Sequence, residues 1–218
     1  MALISAATWL YADLSASHVY TSMTIMAWNA VVRLGYFVLH SLFLTKIIKL
    51  YEKAHRDSST DWLTGAQNAR FFYRMLEIEM SRAQRKNIPF SLAYIDLDNF
   101  KNVNDTLGHS TGDQLLKEFS EIVFQNMRTA DVFARIGGDE FAILIPESTF
   151  QESDAVMARI REKSLESFKI HHWPVTLSMG VITFSSFNRN SVEMIKLTDN
   201  LMYRVKKSGK NQIIHETL

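Results

Sequence analysis

Two short runs rich in β-branched and aromatic residues, Val132 to Ile136 and Phe141 to Ile145, are separated only by Gly137-Gly138-Asp139-Glu140. A glycine-containing break between two strand-like runs predicts a β-hairpin, with the acids at its turn. Adjacent carboxylates repel one another unless a cation or a proton neutralises them. Glycine, in turn, removes the side chains that would hold a phosphate at a distance. The pattern fits a metal-bound nucleotide as ligand; taken alone, Gly137 to Phe141 also reads as a solvated Asp-Glu at a hairpin tip.

A partner for these acids stands upstream. Asp96 and Asp98 follow the apolar run Phe90-Ser91-Leu92-Ala93-Tyr94-Ile95, which predicts a buried strand ending in carboxylates. If strand and hairpin are neighbours in one sheet, Asp96 and Asp139 converge on a site of hard oxygen ligands, the kind that suits Mg²⁺.

Composition narrows the chemistry. The 218-residue chain has a formal net charge of +1 and no cysteine, so disulfides, thiolate nucleophiles and cysteine-bound zinc are excluded. A balanced charge gives no broad electrostatic case for nucleic acid. Basic residues cluster locally at Arg204, Lys206, Lys207 and Lys210, a better match to a phosphate site than to a duplex.

The N-terminal quarter differs from the rest. Residues 24–44 are mostly apolar and long enough to cross a bilayer as one helix. Arg33 inside this stretch costs about 2.5–3.5 kcal/mol on insertion scales. Against that, Lys46, Lys49, Lys53 and Arg56 follow at once, while no Lys or Arg precedes Arg33. The asymmetry predicts a span with its C-terminal end inward; a buried or dimer-forming helix is the competing reading. Residues 1–12 are apolar but too short to span, and read as an interfacial piece or the remnant of a longer membrane domain. The expected division is a membrane segment over 1–45, a connecting helix over 46–58 and a catalytic domain over 59–218.

Beyond the connecting helix the pattern predicts a helix over 69–86, a strand over 90–95, a short helix around Asn102 and a helix over 113–127. The hairpin follows. Thr149-Phe150-Gln151-Glu152 is a capping box opening a helix that runs to Phe168; a strand over 174–184, a helix over 192–207 and a strand over 212–215 close the chain. Interleaved helices and strands around one apolar sheet predict an α/β sandwich (α+β) of the ferredoxin-like kind.

The stretch Asp96-Leu97-Asp98-Asn99-Phe100-Lys101-Asn102-Val103-Asn104-Asp105-Thr106-Leu107-Gly108-His109-Ser110-Thr111-Gly112-Asp113, followed by Arg135-Ile136-Gly137-Gly138-Asp139-Glu140-Phe141, closely resembles the GGDEF-type diguanylate cyclases. Asp61-Trp62-Leu63-Thr64-Gly65 resembles the family's opening signature, and Asp199 through Asn211 its closing one. The resemblance implies a palm-like fold and the Mg²⁺-dependent joining of two GTP into cyclic di-GMP, with two cations per site and Mn²⁺ as the alternative ion. By resemblance, Asp96 and Asp139 ligate the metal with the main-chain carbonyl of Leu97. Glu140 assists there or takes the proton, and Lys101 stabilises phosphate charge. Lys206 and Lys210 hold the terminal phosphates, Lys210 standing where arginine is usual; the charge stays but the bidentate fork is lost. Asn104 and Asp113 match the guanine-reading positions, where a carboxylate accepts from N1–H and N2–H₂ and an amide both donates and accepts. His109 is read as a substrate contact or a structural hydrogen bond rather than a metal ligand, because Gly108 and Gly112 interrupt a regular helix. His171 and His172 read as loop.

Arg128-Thr129-Ala130-Asp131 lies at the spacing from the turn where this family carries a product-inhibition site, which implies that cyclic di-GMP binds there. As an exposed pair alone it is worth little. Asp61 and Arg135 occupy signature positions at which an ion pair would couple the entering helix to the hairpin. One domain of this kind binds one GTP, so the resemblance also implies a homodimer, anchored in a bacterial inner membrane with its catalytic domain in the cytoplasm. The competing reading is a non-catalytic relative that senses GTP or cyclic di-GMP.

Overall fold

All nine residues of the strand Phe90–Asp98 are buried, which explains why the run shows no apolar/polar alternation: both of its faces are covered. The structure, a computed structural model, describes Tyr11, residues 23–57 and residues 59–218. The expected interfacial piece over 1–12, Tyr11 apart, and the side chains of Lys49, Lys53 and Arg56 lie outside the described residues. Contacts divide the chain into two units, Met1–Ser58 and Ser59–Leu218.

The first unit contains the helix α1, Met23–Asp57. Within it Ala27–Ile48, 22 residues of mean hydropathy 1.5, is long and apolar enough to cross a membrane. It lies slightly C-terminal of the expected span and still includes Arg33. Trp28, Tyr36, Leu39 and Phe43 are all exposed on it.

The second unit runs β1 (Gln67–Asn68), α2 (Ala69–Lys86), β2 (Phe90–Asp98), α3 (Phe100–Leu107), α4 (His109–Asn126), β3 (Val132–Gly137), β4 (Glu140–Ile145), α5 (Phe150–Ile170), β5 (Thr176–Phe184), α6 (Ser191–Lys207) and β6 (Ile213–Thr217). The six strands lie in the order β1-β3-β4-β2-β5-β6. β2 is central and antiparallel to both β4 and β5, while β6 and β1 add parallel edges. The middle four strands with their crossover helices form the expected ferredoxin-like α/β sandwich. The two-residue β1 has too little pattern to be read from sequence; it exists through its pairing with Ala134 and Arg135.

Alternation along β2 sorts its side chains between two cores. Ala93, Ile95 and Leu97 pack with Phe119, Phe141, Met157 and Phe168 under α3, α4 and α5. Phe90, Leu92 and Tyr94 pack with Phe72, Leu76, Met194 and Met202 under α2 and α6. By the same period of two, Asp96 falls on the α2–α6 face. α6 lies tight on β5 at Gly180, where a Cβ would collide with the backbone of Thr198 and Met202. This close seating carries the last turn of α6, with Lys206, to the acidic end of β2.

Several boundaries differ from the sequence expectation. β2 extends through Asp98, because Asp96 and Asp98 pair in register with Ser178 and Thr176. α4 begins at His109 rather than 113, so Gly112 lies inside a helix and does not interrupt it. A Cβ at Gly112 would meet the side chains of Asn104 and Phe100; the glycine permits α3 and α4 to touch. Only Gly108, with φ of 87°, separates the two helices.

Candidate active site

The hairpin turn is tighter than the sequence suggests. β3 ends at Gly137 and β4 begins at Glu140, so Gly138 and Asp139 form the turn and Glu140 is already in the ladder, directly opposite Asp96. Gly138 has φ of 48°, and a Cβ on either glycine would meet nothing within 4 Å. The space beside the turn is open. The main-chain N–H of Leu97 donates to the Asp139 carbonyl at 3.2 Å, tying the turn to the end of β2. Arg135 holds it from the other side: Nε and Nη2 donate to the Gly138 carbonyl at 2.9 and 2.7 Å. Its Nη1 pairs with Asp61 at 3.2 Å. The anticipated ion pair is therefore present, and it fixes the residue just before Asp139.

A cleft of about 400 Å³ opens there, lined among others by Asp96, Leu97, Lys101, Asp139, Glu140, Lys206 and Lys210. Lys206 Nζ donates to Asp96 Oδ2 at 2.6 Å, and Lys210 Nζ donates to Asn99 Oδ1 at 2.8 Å. Burial raises the Asp96 carboxyl above the usual aspartate range despite the Lys206 bond, with Asp139 and Asp98 adding to the rise. Burial and the facing Asp96 likewise push Glu140 up. Lys206, although burial alone would lower it, is held above its ordinary value by Asp96, Glu140 and Asp139. Directly opposed carboxylates on one sheet face are unfavourable, and a cation offsets that cost.

The donor set fits Mg²⁺. Among the described residues no three His, Cys, Asp or Glu side chains are grouped as a ready cage. A hard divalent cation is commonly held by one or two carboxylates and completed by phosphate oxygens. Asp96, Asp139 and the Leu97 carbonyl are the groups that would hold it, all hard oxygen.

Other candidates fall elsewhere. Asp98 borders the cleft but is committed: its carboxylate accepts from Thr176 Oγ1, Ser178 Oγ and the main-chain N–H of Asn211 at 2.7, 2.8 and 3.2 Å. Asn104 is half-buried on α3 and Asp113 exposed on α4. They do not line the cleft but stand on the helix pair whose first residues, Phe100 and Lys101, form its rim. His109 opens α4 and is exposed. The basic cluster splits: Arg204 pairs with Glu216 at 2.7 Å and Lys207 lies over the Tyr203 ring, leaving Lys206 and Lys210 to the cleft. In the Arg128–Asp131 turn, the carboxylate accepts from the Arg128 main-chain N–H at 2.8 Å. Burial keeps Asp131 above its ordinary value, and the Arg128 side chain is exposed. His171 stacks on Trp173 in the loop before β5. Asn99 carries no role in the sequence reading, although asparagine is one of the few non-glycine residues that enter the left-handed region; its φ is 64°.

A ferredoxin-like sheet whose central strand and adjoining hairpin bring acids to a lysine-rimmed cleft is an arrangement suited to holding a cation and phosphate groups together. Comparison with known proteins specifies the family. The family model described as "Diguanylate cyclase, GGDEF domain" matches residues 58–212. The chain is 31% identical over 206 residues to "Probable diguanylate cyclase DgcT" of Escherichia coli (strain K12), covering 92% of this chain and 44% of that protein. It is 31% identical over 178 residues to "Diguanylate cyclase DosC" of the same strain, covering 79% and 38%. Among solved structures, the diguanylate cyclase SiaD in complex with its activator SiaC, from Pseudomonas aeruginosa, matches with a TM-score of 0.66 at 26% identity. That match covers 98% of this chain and 82% of SiaD. The chain belongs to the GGDEF diguanylate cyclase family. It spans less than half the length of the two curated relatives named here.

Proposed function

We propose that this protein is a diguanylate cyclase that condenses two GTP into cyclic di-GMP and two pyrophosphates. The observation that supports it most directly is the meeting of Asp96, Asp139, Glu140, Lys206 and Lys210 in one cleft, on a domain of this family. In each half-reaction a 3′-hydroxyl oxygen bonds to the α-phosphorus of the other nucleotide. The bond to pyrophosphate breaks, and the hydroxyl proton passes to a carboxylate of the Asp139–Glu140 pair. Bound between Asp96, Asp139 and the Leu97 carbonyl, Mg²⁺, two per site, would acidify that hydroxyl and neutralise charge on the phosphates. Lys206 pairs with Asp96 at 2.6 Å and is placed to exchange that carboxylate for phosphate. Lys101 and Lys210 line the same cleft. Asn104 and Asp113 read guanine, with His109 beside them at the start of α4.

Two GTP must face one another, so the active unit is a homodimer, its geometry set through the connecting part of α1. The stretch Ala27–Ile48 anchors the chain in the bacterial inner membrane with the catalytic domain in the cytoplasm. Arg128 and Asp131 bind cyclic di-GMP and limit its synthesis. Arginine grips phosphate or stacks on guanine, while aspartate accepts from the base edge.

Incubating the purified full-length protein with GTP and Mg²⁺ and assaying cyclic di-GMP tests the reading. Product from the wild type is expected, with a loss of about 10²–10³-fold or more in Asp139→Asn. A protein that binds GTP and dimerises without forming product is instead a sensor. Equal turnover of ATP contradicts the roles of Asn104 and Asp113.

A further inference from the structure

Gly209, Lys210 and Asn211 are three consecutive left-handed residues, with φ of 116°, 63° and 50°. Two of them carry side chains, for which this backbone region is unfavourable, so such a run persists only where its surroundings over-determine it. The run stands between α6, which carries Lys206, and β6. It also presents Lys210 to the cleft.

Two side chains from other elements impose the conformation. Arg161 of α5 donates from Nη2 to the main-chain carbonyl and to Oδ1 of Asn211, at 2.6 and 2.9 Å. Its buried Nε has no partner, so Asn211 provides the hydrogen bonds that orient this guanidinium. Asp98, 2% exposed, accepts the Asn211 N–H, and its own oxygens are held by Thr176 and Ser178 of β5. Asn211 is thus gripped at its N–H, its carbonyl and its side chain. Lys210 precedes it, with its N–H on the Val205 carbonyl at 3.0 Å and its ammonium on Asn99 across the cleft.

We propose that Asp98 and Arg161 are positioning residues for the terminal phosphates of the substrate. They clamp Asn211 and so keep Lys210 in the backbone conformation that aims its ammonium across the cleft. The inference rests on the GTP reading above and deepens it. Both residues act through Lys210, so their loss weakens the hold on the terminal phosphates and leaves the guanosine end untouched. A lysine gains more from this clamp than an arginine would, because a point charge has no planar fork to secure its own orientation.

The test uses the full-length protein with GTP as substrate and GMP as competitive inhibitor, the second probe lacking the phosphates that Lys210 would meet. In Arg161→Gln and Arg161→Lys the KM for GTP rises about tenfold while kcat changes far less, the pattern of lost uniform binding. The Ki for GMP stays within about twofold of wild type, by the same reasoning. Arg161→Lys keeps the charge but is shorter and lacks the planar guanidinium that reaches Asn211, so it carries the test if Arg161→Gln does not fold. Adding Lys210→Ala to either variant costs much less than Lys210→Ala costs alone, since residues acting as one unit are not additive. Parallel changes in KM for GTP and Ki for GMP, an unchanged KM, or additive effects of Arg161 and Lys210 each overturn the proposal. A wild type that binds GTP no better than GMP instead removes the GTP reading itself.

Discussion

Arg135 and Asp61, 74 positions apart, meet at 3.2 Å and thereby join the opening turn of the second unit to the hairpin that carries Asp139. Asp61 Oδ1 also accepts from the main-chain N–H and the hydroxyl of Thr64 at 3.0 and 2.6 Å. Three donors thus converge on Asp61 Oδ1, and the guanidinium is fixed. Its Nε and Nη2 hold the Gly138 carbonyl, so one arginine sets the position of the turn.

Replacing this arginine should affect catalysis more than folding. Arg135→Ala releases the Gly138 carbonyl and leaves Asp61 with Thr64 alone, a stability loss of about 1–3 kcal/mol. A turn displaced by about 1 Å costs up to about 10²-fold in rate. Urea unfolding and initial-rate assays on the same preparation separate the two; an intact rate with a large stability loss would assign Arg135 to the fold alone.

The pH dependence of that contribution has a definite sign. Burial alone would raise the Asp61 carboxyl, but the Thr64 hydrogen bonds and Arg135 hold it below its ordinary value. A depressed folded pKa gives stability that is present above the unfolded value of about 3.9 and lost as pH falls through the folded one. The wild type should therefore exceed Asp61→Asn in stability at pH 7, with the difference shrinking below about pH 4. Urea midpoints for the two proteins at both pH values provide the measurement.

The acids of the cleft should follow the opposite rule. Glu140 stands opposite Asp96, and both are pushed above their ordinary values. Removing one charge relieves the repulsion, so Glu140→Gln should be as stable as wild type without divalent cation, or more stable by up to about 1 kcal/mol. Its cyclase activity should fall sharply. Thermal melting in chelator, with product assayed in Mg²⁺, would expose a Glu140 that is merely structural by a drop in both.

Gly112 is predicted to be intolerant for a reason visible only in three dimensions. A methyl group there meets the Asn104 amide and the Phe100 ring, so Gly112→Ala must push Asn104 from its place or part α3 from α4. Overpacking of this kind costs about 1–3 kcal/mol. The preference for GTP over ATP should fall with it, as read by competition binding.

At the distal turn, Arg128→Ala should raise the cyclic di-GMP concentration needed for half-inhibition by about tenfold, the equivalent of one charge-assisted contact. The main-chain bond from residue 128 to Asp131 survives that change, so the turn itself is preserved. Unaltered inhibition would remove Arg128 from the site.

Apart from the two-residue β1, the elements, the sandwich and the family were legible in the sequence. Strand and helix periodicities depend on local burial, and the acids, glycines and lysines stand in contiguous motifs. It also pointed to the Asp61–Arg135 pair, because both residues lie in such motifs. Tertiary structure decided which charges share the cleft. Asp96 and Asp98 look equivalent two residues apart, yet Thr176, Ser178 and Asn211 consume Asp98 while Asp96 is left to Lys206. Arg204 and Lys207 look equivalent to Lys206, yet helical geometry turns them toward Glu216 and Tyr203. Arg161 carried no signal at all, since a partner 50 positions away leaves no local pattern. A hydrogen bond between distant segments is specified by how the whole sheet and its helices pack, and no short window of sequence contains that information.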